Sequence, residues 1–378
     1  MRILFFSRNL SYGGSERVLS NLSNELASLN YEVVISLNDD CVFYNVHPNI
    51  KLIIAPSLRY GQWNNPFCHF ISWIERNHRN YRHTRNTINA MKPDLIVSFS
   101  QCNMKAILCC HGNIPIIHSE HNAYDRKLGF KSYFNRFFLN RFFDKVCVLT
   151  LFDSGYARAK GLKNAVVMPN PNTFPIITEN EYADLFYKRK NLLVCGRVDA
   201  WNVKGFDIAI EAFSIIAKQY PDVDLDIAGY GNENSIKALC KIADNFGVVD
   251  RIHFLGKRTD IKDVYQKHSL LLLSSRTEGF PMVVTEAMSQ GLPCVSFERL
   301  SYSIIINDID GMLVNNLDVA EMSVAVKRLL DDDKRRFSLG KEARKNIERF
   351  SSSSIARKWE SLFHELIVKR NEKGKKIV

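Results

Sequence analysis

Two carboxylates lie eight residues apart in the segment RTEGFPMVVTEAMSQGLPCVSF, residues 276–297. The apolar run LLLLSS before it predicts a buried strand, so Glu278 is expected in the loop at that strand's carboxyl end and Glu286 inside the next helix. Paired carboxylates accept hydrogen bonds from neighbouring hydroxyls, so they suit a polyol such as ribose or a hexose. The alternative, equally weighted, makes Glu278 a first-turn charge favoured by the helix dipole and Glu286 a solvated helix residue.

Two cations are expected at a second strand-to-helix corner, in NLLVCGRVDAWNVKGFD. Arg197 leaves the end of a predicted strand, and Lys204 precedes Gly205 and a predicted helix start. A guanidinium that binds bidentately and a compact ammonium charge at one corner suit a diphosphate. Two solvated surface charges are the alternative, and in isolation the favoured one.

A glycine pair follows the first predicted strand, in SRNLSYGGSERVLSNLSNEL. Gly13 and Gly14 let the backbone approach a ligand closely, and free amides at a helix start favour an anion. A plain strand-to-helix turn capped by Ser15 explains the same residues equally well.

The elements that must position these residues alternate short apolar runs with helical patterns, which indicates parallel α/β units. Six strands are predicted in each half, and a turn-rich connector, VVMPNPNTFPIITENEYADLF, separates the halves. We therefore predict doubly wound domains over residues 1–172 and 173–355, with ligands at the carboxyl ends of the strands. Residues 356–378 are predicted to form a helix and basic tail that pack back toward the first domain.

Charge is unevenly distributed over the 378 residues. The net charge is +11, and residues 1–172 hold 20 Lys and Arg against 11 Asp and Glu, hence +9. Nucleic acid, an anionic membrane surface and a phosphorylated acceptor are the partners that such a basic half could bind. No apolar run approaches the roughly 20 residues of a membrane span, and nine scattered cysteines predict reduced thiols in the cytoplasm.

Several sites that bind metals or cofactors are not predicted. GYGNEN, residues 229–234, lacks the third glycine of a dinucleotide fingerprint. The alternation of Asp222, Asp224 and Asp226 with apolar residues is more typical of a strand with one polar face than of a metal site. His118 and His121 have no third ligand at zinc-site spacing. We expect no metal and no bound cofactor.

Five motifs in order along the chain point to a known family. GGSER at 13–17, SEHN at 119–122, MPNP at 168–171, GR…KG around Arg197 and Lys204, and EGFPMVVTE at 278–286 resemble the retaining glycosyltransferases of family 4. The E-x7-E element is the most specific of them. The resemblance implies the GT-B fold, in which two Rossmann-like doubly wound domains face each other across a cleft. The first domain would bind the acceptor and the second the nucleotide-sugar. The resemblance also implies a reaction without a metal.

The resemblance also assigns roles by position. Arg197 and Lys204 would hold the donor diphosphate, Glu286 the ribose hydroxyls and Glu278 the donor sugar. His121 would lie in the cleft near sugar and acceptor, and the backbone of Gly13 and Gly14 near donor phosphate or acceptor. Pro281 stands where many members have glycine and removes one amide, so the candidate amides are those of its neighbours Gly279, Phe280 and Met282.

The implied reaction moves a hexose or N-acetylhexosamine from a nucleotide diphosphate sugar, UDP favoured, to a saccharide acceptor. A lipid-linked acceptor and a role in lipopolysaccharide, capsule or exopolysaccharide synthesis at the inner face of the cytoplasmic membrane are expected. A GT-B nucleotide-sugar epimerase is the alternative enzyme, but its acid and base residues cannot be placed. A nucleic-acid-binding protein fits the pI of about 9.1 but lacks a recognition pattern.

Two basic and aromatic segments suggest a membrane surface. RKLGFKSYFNRFFLNRFFDK, residues 126–145, holds six basic residues and predicts a helix with one broad aromatic face; its rings are Phe130, Tyr133, Phe134, Phe137, Phe138 and Phe142. A second segment runs from Arg59 to Arg85 and includes Trp63, Phe67, Phe70, Trp73, Arg76, Arg79, Tyr81 and Arg82. Such helices can lie in an anionic interface. Packing of the rings on the first-domain sheet is the alternative, expected to explain most of the phenylalanines.

Overall fold

The computed structural model describes residues 1–11, 13–55, 66–99, 101, 103–124 and 129–375, without the side chains of 66–73, 131 and 373–375. Arg59, Trp63 and Arg126 of the predicted membrane-facing segments therefore lie outside the described residues, as do the side chains of Phe67, Phe70 and Trp73. By its internal contacts the chain divides into two compact units, Met1–Pro171 with Ser352–Val378, and Asn172–Ser351.

The first unit is built on a seven-stranded sheet in the order β3-β2-β1-β4-β5-β6-β7, in which every neighbouring pair is parallel. Its strands are β1 Arg2–Ser7, β2 Glu32–Leu37, β3 Lys51–Ile54, β4 Leu95–Ser98, β5 Ile116–Ser119, β6 Lys145–Val148 and β7 Ala165–Val167. The six strands predicted from apolar runs are present. The seventh was missed because its three residues, AVV, are too few to form a recognisable run.

Helices cover this sheet on both faces. They are α1 Gly14–Ser28, α2 Pro66–Met91, α3 Met104–Cys110, α4 Phe130–Phe137 and α5 Leu151–Ala159, with a 3₁₀ helix at Leu139–Phe142. Parallel crossovers are right-handed, so α1 lies on one face and the helices that follow β3 lie on the other. This placement leaves room beside α1.

The last helix of the chain occupies the space beside α1. It runs from Ser352 to Lys375 and is called α15. It begins four residues before the predicted start of the carboxyl-terminal segment and packs against α1. The hydroxyl of Tyr31, just after α1, donates to Glu360 at 2.5 Å, and Lys145 pairs with Glu365 at 3.2 Å. The end of the chain thus belongs to the first unit's fold.

The second unit is built on a six-stranded parallel sheet in the order β10-β9-β8-β11-β12-β13. Its strands are β8 Lys190–Cys195, β9 Leu225–Ala228, β10 Ile252–Gly256, β11 His268–Leu273, β12 Cys294–Phe297 and β13 Met312–Val314. This is the Rossmann strand order. The chain adds β9 and β10 on one side of β8 and then returns to add β11, β12 and β13 on the other side. A crevice for ligands is therefore expected at the carboxyl ends of β8 and β11.

The second unit's helices are α6 Glu179–Phe186, α7 Trp201–Lys204, α8 Phe206–Ala217, α9 Glu233–Asn245, α10 Ile261–Lys267, α11 Met282–Ser289, α12 Glu298–Ser301, α13 Val319–Asp331 and α14 Asp333–Asn346. Pro281 precedes α11 as its N-cap. Strand β11 is buried along its whole length. The loop after it is therefore anchored at one end by the core and at the other by α11.

Candidate functional site

Lys204 and Glu278 meet beyond the carboxyl ends of β8 and β11, the neighbouring strands at which the strand order of the second sheet reverses. The Lys204 Nζ lies 2.8 Å from Oε1 of Glu278, and the Ser275 hydroxyl donates to the same oxygen at 2.7 Å. Both charged side chains are mostly buried, with 26% and 13% of their surfaces exposed. Two residues predicted from separate motifs are therefore brought into direct contact, one following β8 and the other following β11.

Gly205 makes this contact possible. Its φ of +62° lies in the left-handed region, and a Cβ added there would come within 1.8 Å of the carbonyl oxygen of Ser274. Only glycine lets the corner after Lys204 approach the end of β11 so closely. The Lys-Gly pair of the sequence thus has two parts, since one residue supplies the charge and the next supplies the close approach.

An ion pair that the sequence analysis missed fastens the same two loops together. The two guanidinium nitrogens of Arg276 bind the two carboxylate oxygens of Asp207 at 2.9 and 2.7 Å. The backbone amide of Arg276 also donates to the carbonyl of Val203 at 2.8 Å. Arg276 and Asp207 stand in the two quoted motifs, but nothing in either motif indicates that they pair.

Arg197 and the start of α11 provide further groups for an anion. Arg197 is exposed and lies immediately after β8, before a 3₁₀ helix at Val198–Ala200. The amide of Met282 belongs to the first turn of α11, where backbone amides have no partner within the helix. Gly279 is partly exposed, whereas Phe280 is buried and packs edge-on against Phe350 at 5.5 Å. Phe280 therefore anchors the loop.

Glu286 is buried inside α11, with 3% of its surface exposed. Its Oε1 accepts a hydrogen bond from Thr173 at 2.8 Å and its Oε2 accepts one from Tyr265 at 2.9 Å. The interpretation of Glu286 as a solvated helix residue is therefore wrong. So is that of Glu278 as a first-turn charge, because α11 begins four residues later. Both carboxylate oxygens of Glu286 are therefore engaged by side chains of the second unit.

A thiol lies near this buried carboxylate. Burial, and next the charge of Glu286, raise the pKa of the Cys195 thiol. Cys195 therefore stays protonated at neutral pH and is a poor nucleophile.

The predicted histidine of the first unit lies just beyond the end of β5. A ring nitrogen of His121 shares a hydrogen bond with the Ser119 hydroxyl at 3.1 Å, and the ring stacks on Phe99 at 4.9 Å. Burial lowers the pKa of His121 to about 4, although the neighbouring Glu120 opposes this shift. His121 is therefore neutral near pH 7 and can accept or donate one hydrogen bond at each ring nitrogen.

The carboxylate of Glu120 is buried and takes part in an ion pair and a hydrogen bond. It lies 3.3 Å from the guanidinium of Arg136, which is 1% exposed, and accepts a hydrogen bond from Asn122 at 3.1 Å. Burial alone would raise its pKa, but the charge of Arg136 holds the pKa of Glu120 below its usual range. This buried ion pair fixes the loop that carries His121.

The glycine pair begins α1, with Gly13 as its N-cap. A Cβ at Gly13 would lie 2.2 Å from a carboxylate oxygen of Glu16, so this carboxylate covers the glycine. Nothing lies within 4 Å of the Cβ position of Gly14, which is exposed. An anion approaching the start of α1 would therefore meet Glu16 first at Gly13 and an open backbone at Gly14.

The aromatic residues of the 126–145 segment are mostly exposed. The segment does not form one helix, because α4 ends at Phe137 and a 3₁₀ helix follows. Phe137 is buried, but Phe130, Tyr133, Phe134, Phe138 and Phe142 are all among the exposed hydrophobic residues. Packing on the sheet thus explains one ring of the six, and the expectation that it explains most of them is wrong.

Two of the three acidic residues of the Asp-x-Asp run, Asp224 and Asp226, are engaged by side chains of the second unit. Asp224 binds Arg251 and His253, and Asp226 accepts from His268 at 2.8 Å. Among the residues that the structure describes, no three His, Cys, Asp or Glu side chains are grouped so that they could hold a metal ion. No described helix has the length and apolar character needed to cross a bilayer.

Family models match both units of the chain. A model of glycosyltransferase family 4 matches residues 12–171, and a model of glycosyl transferases group 1 matches residues 189–332. The chain is 27% identical over 376 residues to an uncharacterised glycosyltransferase of Haemophilus influenzae, covering 96% of this chain and 99% of the relative. It is 26% identical to the amylovoran biosynthesis glycosyltransferase AmsD of Erwinia amylovora, covering 93% and 96% of the two chains.

A third relative and a solved structure complete the comparison. The chain is 25% identical to an α-1,4-N-acetyl-D-galactosaminyltransferase of Campylobacter jejuni that acts on a diphospho-undecaprenol-linked saccharide, covering 97% and 99%. The crystal structure of Anabaena HepE in complex with UDP and glucose has a TM-score of 0.73 at 18% identity, covering 96% and 99%. The two family models together account for both units, and the chain belongs to the glycosyltransferases of family 4, with the GT-B fold.

Proposed function

We propose that this glycosyltransferase moves a hexose or N-acetylhexosamine from a UDP-sugar, with retention at the anomeric carbon, to a lipid-linked saccharide acceptor in bacterial surface-polysaccharide synthesis. The donor nucleotide is supported by the UDP bound to HepE, and the acceptor by the undecaprenol-linked substrate in the name of the Campylobacter relative. The polysaccharide role is supported by the name of AmsD.

The observation that carries the proposal is the contact between Lys204 and Glu278 at the reversal point of the second sheet. A nucleotide-sugar presents a diphosphate between two sets of hydroxyls. We assign Glu286 to the ribose, Lys204 and Arg197 to the diphosphate, and Glu278 to the sugar. The site therefore supports binding of an elongated ligand with a charged centre.

The difficult step is departure of the diphosphate. The bond between the anomeric carbon and the phosphate oxygen breaks while the acceptor oxygen bonds to that carbon on the same face. The acceptor proton passes to the departing phosphate oxygen, so no separate base is required. Arg197, Lys204 and the first amides of α11 stabilise the growing negative charge, and losing one such contact typically costs about 3 kcal/mol.

Attack from the front face is favoured over a covalent intermediate by the states of two candidate nucleophiles. Glu120 is buried and its carboxylate is paired with the guanidinium of Arg136. Cys195 is buried and remains a thiol because burial raises its pKa. Neither group is prepared to bond to a sugar carbon. Trapping a sugar on a carboxylate of the first unit would contradict the front-face mechanism.

His121 is assigned to binding rather than to proton transfer. Its burial-lowered pKa of about 4 makes it a poor base at neutral pH. A neutral ring fixed by Ser119 and Phe99 can hold a hydroxyl of the sugar or of the acceptor. Its replacement by glutamine is therefore expected to raise KM more than it lowers kcat.

The test is a binding screen of UDP-, GDP-, ADP- and dTDP-sugars, followed by product analysis with the best donor. UDP-sugars are expected to bind most tightly, and the product's anomeric configuration should match that of the donor. Arg197→Ala is expected to lower kcat/KM roughly a hundredfold. Lys237→Ala, which removes an exposed lysine of α9, is the matched control and should change neither binding nor turnover.

Three results would contradict the proposal. If no nucleotide-sugar binds and Arg197→Ala changes nothing, the donor site is wrongly assigned. A product with inverted configuration would exclude the retaining reaction. An epimerised nucleotide-sugar without transfer would favour the epimerase alternative.

A further inference from the structure

The exposed rings of α4 and of its neighbours form one surface. Phe134 stacks on Phe138 at 4.7 Å, and Phe138 meets Phe142 edge-on at 5.6 Å. Phe130 lies one helical turn before Phe134 and is 88% exposed. Four phenylalanines therefore follow one another along α4 and the 3₁₀ helix, and each of them is exposed.

The start of α5 extends this surface. Phe152 is exposed and stacks on Tyr156 at 6.4 Å, and Tyr156 in turn lies 6.5 Å from the buried Phe137 of α4. Tyr133 packs on the other side of Phe137 at 4.7 Å. We define the aromatic patch as Phe130, Tyr133, Phe134, Phe138, Phe142 and Phe152.

The exposed charges around the aromatic patch are mainly positive, because Arg141, Arg158, Lys160 and Lys163 are exposed, whereas Arg136 is buried against Glu120 and Lys145 pairs with Glu365. Residues 129–163 contain seven Lys and Arg and two Asp and Glu, hence a net charge of +5. One of the two acids, Asp153, is buried, and the other, Asp144, accepts the Ile116 amide at 2.8 Å. Arg141 and Lys160 are exposed and adjacent, since the guanidinium of Arg141 lies 3.4 Å from the carbonyl of Lys160.

The topology places one end of the aromatic patch at the edge of the sheet where ligands bind. Helix α4 follows the carboxyl end of β5, and α5 begins at the carboxyl end of β6. The first residues of both helices, including Phe130 and Phe152, therefore lie toward the same edge as His121 and the glycine turn. An occupant of the patch would be held beside the first unit's binding groups.

From these observations we infer that the aromatic patch inserts into the interface of an anionic lipid bilayer. Clustered phenylalanine and tyrosine rings bury apolar area at the boundary between headgroups and acyl chains, and the surrounding cations attract anionic headgroups. The inference extends the proposed function in one respect, because a membrane-bound first unit would meet its lipid-linked acceptor at the bilayer surface. The bilayer contact itself does not require the proposed donor.

The test is flotation of the full chain with vesicles of phosphatidylcholine, with and without phosphatidylglycerol. The wild-type chain is expected to float with the anionic vesicles and to dissociate as salt is raised. The triple variant Phe134→Ser, Phe138→Ser and Phe142→Ser should bind at least about tenfold more weakly at every salt concentration. Lys160→Gln with Lys163→Gln should weaken binding to anionic vesicles alone.

Matched controls separate the aromatic patch from general hydrophobicity. Tyr187→Ser and Phe246→Ser remove exposed rings from the second unit and should leave flotation unchanged. Thermal unfolding and UDP-sugar binding without vesicles verify that each variant is folded, and they keep failure of this inference distinct from failure of the proposed donor.

Two outcomes would overturn the inference. One is a lack of difference between the variants, in which the triple variant floats like the wild-type chain or the control variants lose as much binding as the triple variant. The other is a wild-type chain that does not bind vesicles but sediments as a dimer, which the triple substitution dissociates. The aromatic patch would then be an interface between two copies of the chain.

Discussion

The two sheets share an arrangement of strands but carry different chemistry at their carboxyl edges. Their centres run β2-β1-β4 and β9-β8-β11, so each has a reversal point beside its first strand. The second sheet's edge is fastened by ion pairs, Lys204 with Glu278 and Arg276 with Asp207. Beyond β5 the loop of the first sheet is also fixed by an ion pair, that of Glu120 with Arg136, but this pair is buried and the groups beside it are a neutral histidine, a serine and exposed aromatic rings.

The difference teaches that the backbone fixes where a ligand binds and the side chains fix which ligand it is. Opposed charges at a rigid corner favour a charged ligand such as a diphosphate, because the ligand's charge can take the place of a carboxylate. Neutral hydrogen-bonding groups beside apolar rings favour a saccharide with a lipid anchor. The predictions below test whether each edge depends on the features assigned to it.

The largest effect is expected at Gly205. Gly205→Ala adds a Cβ 1.8 Å from the Ser274 carbonyl at a left-handed φ, so the corner that carries Lys204 must move away from β11. We expect a loss of about 3 kcal/mol in the free energy of unfolding and at least a hundredfold loss of kcat/KM. Thermal unfolding and steady-state kinetics with the best donor measure the two effects.

Gly112 of the first unit supplies the control for this prediction. It also has a left-handed φ, +58°, but nothing lies within 4 Å of its Cβ position. Gly112→Ala should therefore cost only the backbone strain, about 1 kcal/mol, and leave kcat/KM unchanged. Equal effects of the two substitutions would mean that close approach at the second edge has no special role.

A smaller effect is expected from the ion pair of Arg276 and Asp207. Arg276→Ala should lower kcat/KM about tenfold, because the loop of Glu278 loses its bond to the helix that follows Lys204. Asp207→Ala should have the same effect, and the double variant should be little worse than either single variant. Steady-state kinetics of the three variants completes the cycle, and fully additive losses would show that the pair does not act as a unit.

The sequence was sufficient for the features that depend on local pattern. Apolar runs predicted twelve of the thirteen strands in the part of the chain that the structure describes. Because parallel strands end at a common edge, Lys204 and Glu278 were expected at the same edge, but their direct contact was not predicted. The turn at Gly205 was visible as a glycine before a helix, although the reason for it, the nearby Ser274 carbonyl, was not.

Features that depend on packing could not be predicted. Glu286 is buried because hydroxyls of Thr173 and Tyr265, which come from distant parts of the chain, satisfy its two oxygens. The aromatic rings were expected to be mostly covered, but of the four aromatic residues of α4 only Phe137 is buried. A helical pattern gives the direction of each side chain, whereas burial depends on which elements lie opposite, and this information is not local.

The smallest predicted effect concerns pH and the first unit's edge. Burial lowers the pKa of His121 to about 4, and burial also lowers the pKa of His118. A histidine with a lowered pKa in the folded chain stabilises the fold fully above its unfolded pKa of about 6.5, and this stabilisation is lost as pH falls below that value. The midpoint of thermal unfolding should therefore fall by a few degrees from pH 7.5 to pH 5.5.

The contribution of His121 can be isolated because its substitution changes how steeply the unfolding midpoint falls with pH, whatever it does to the midpoint at one pH. His121→Gln keeps a partner for the Ser119 hydroxyl but removes the titrating ring, so the fall in unfolding midpoint between the two pH values should become smaller. It should not vanish, because the buried His118 still titrates. His78→Gln, on the exposed side of α2, should leave the slope unchanged. An unchanged slope in His121→Gln would show that this histidine is not held neutral by burial, and the contrast between a neutral first edge and a charged second edge would then lose its main support.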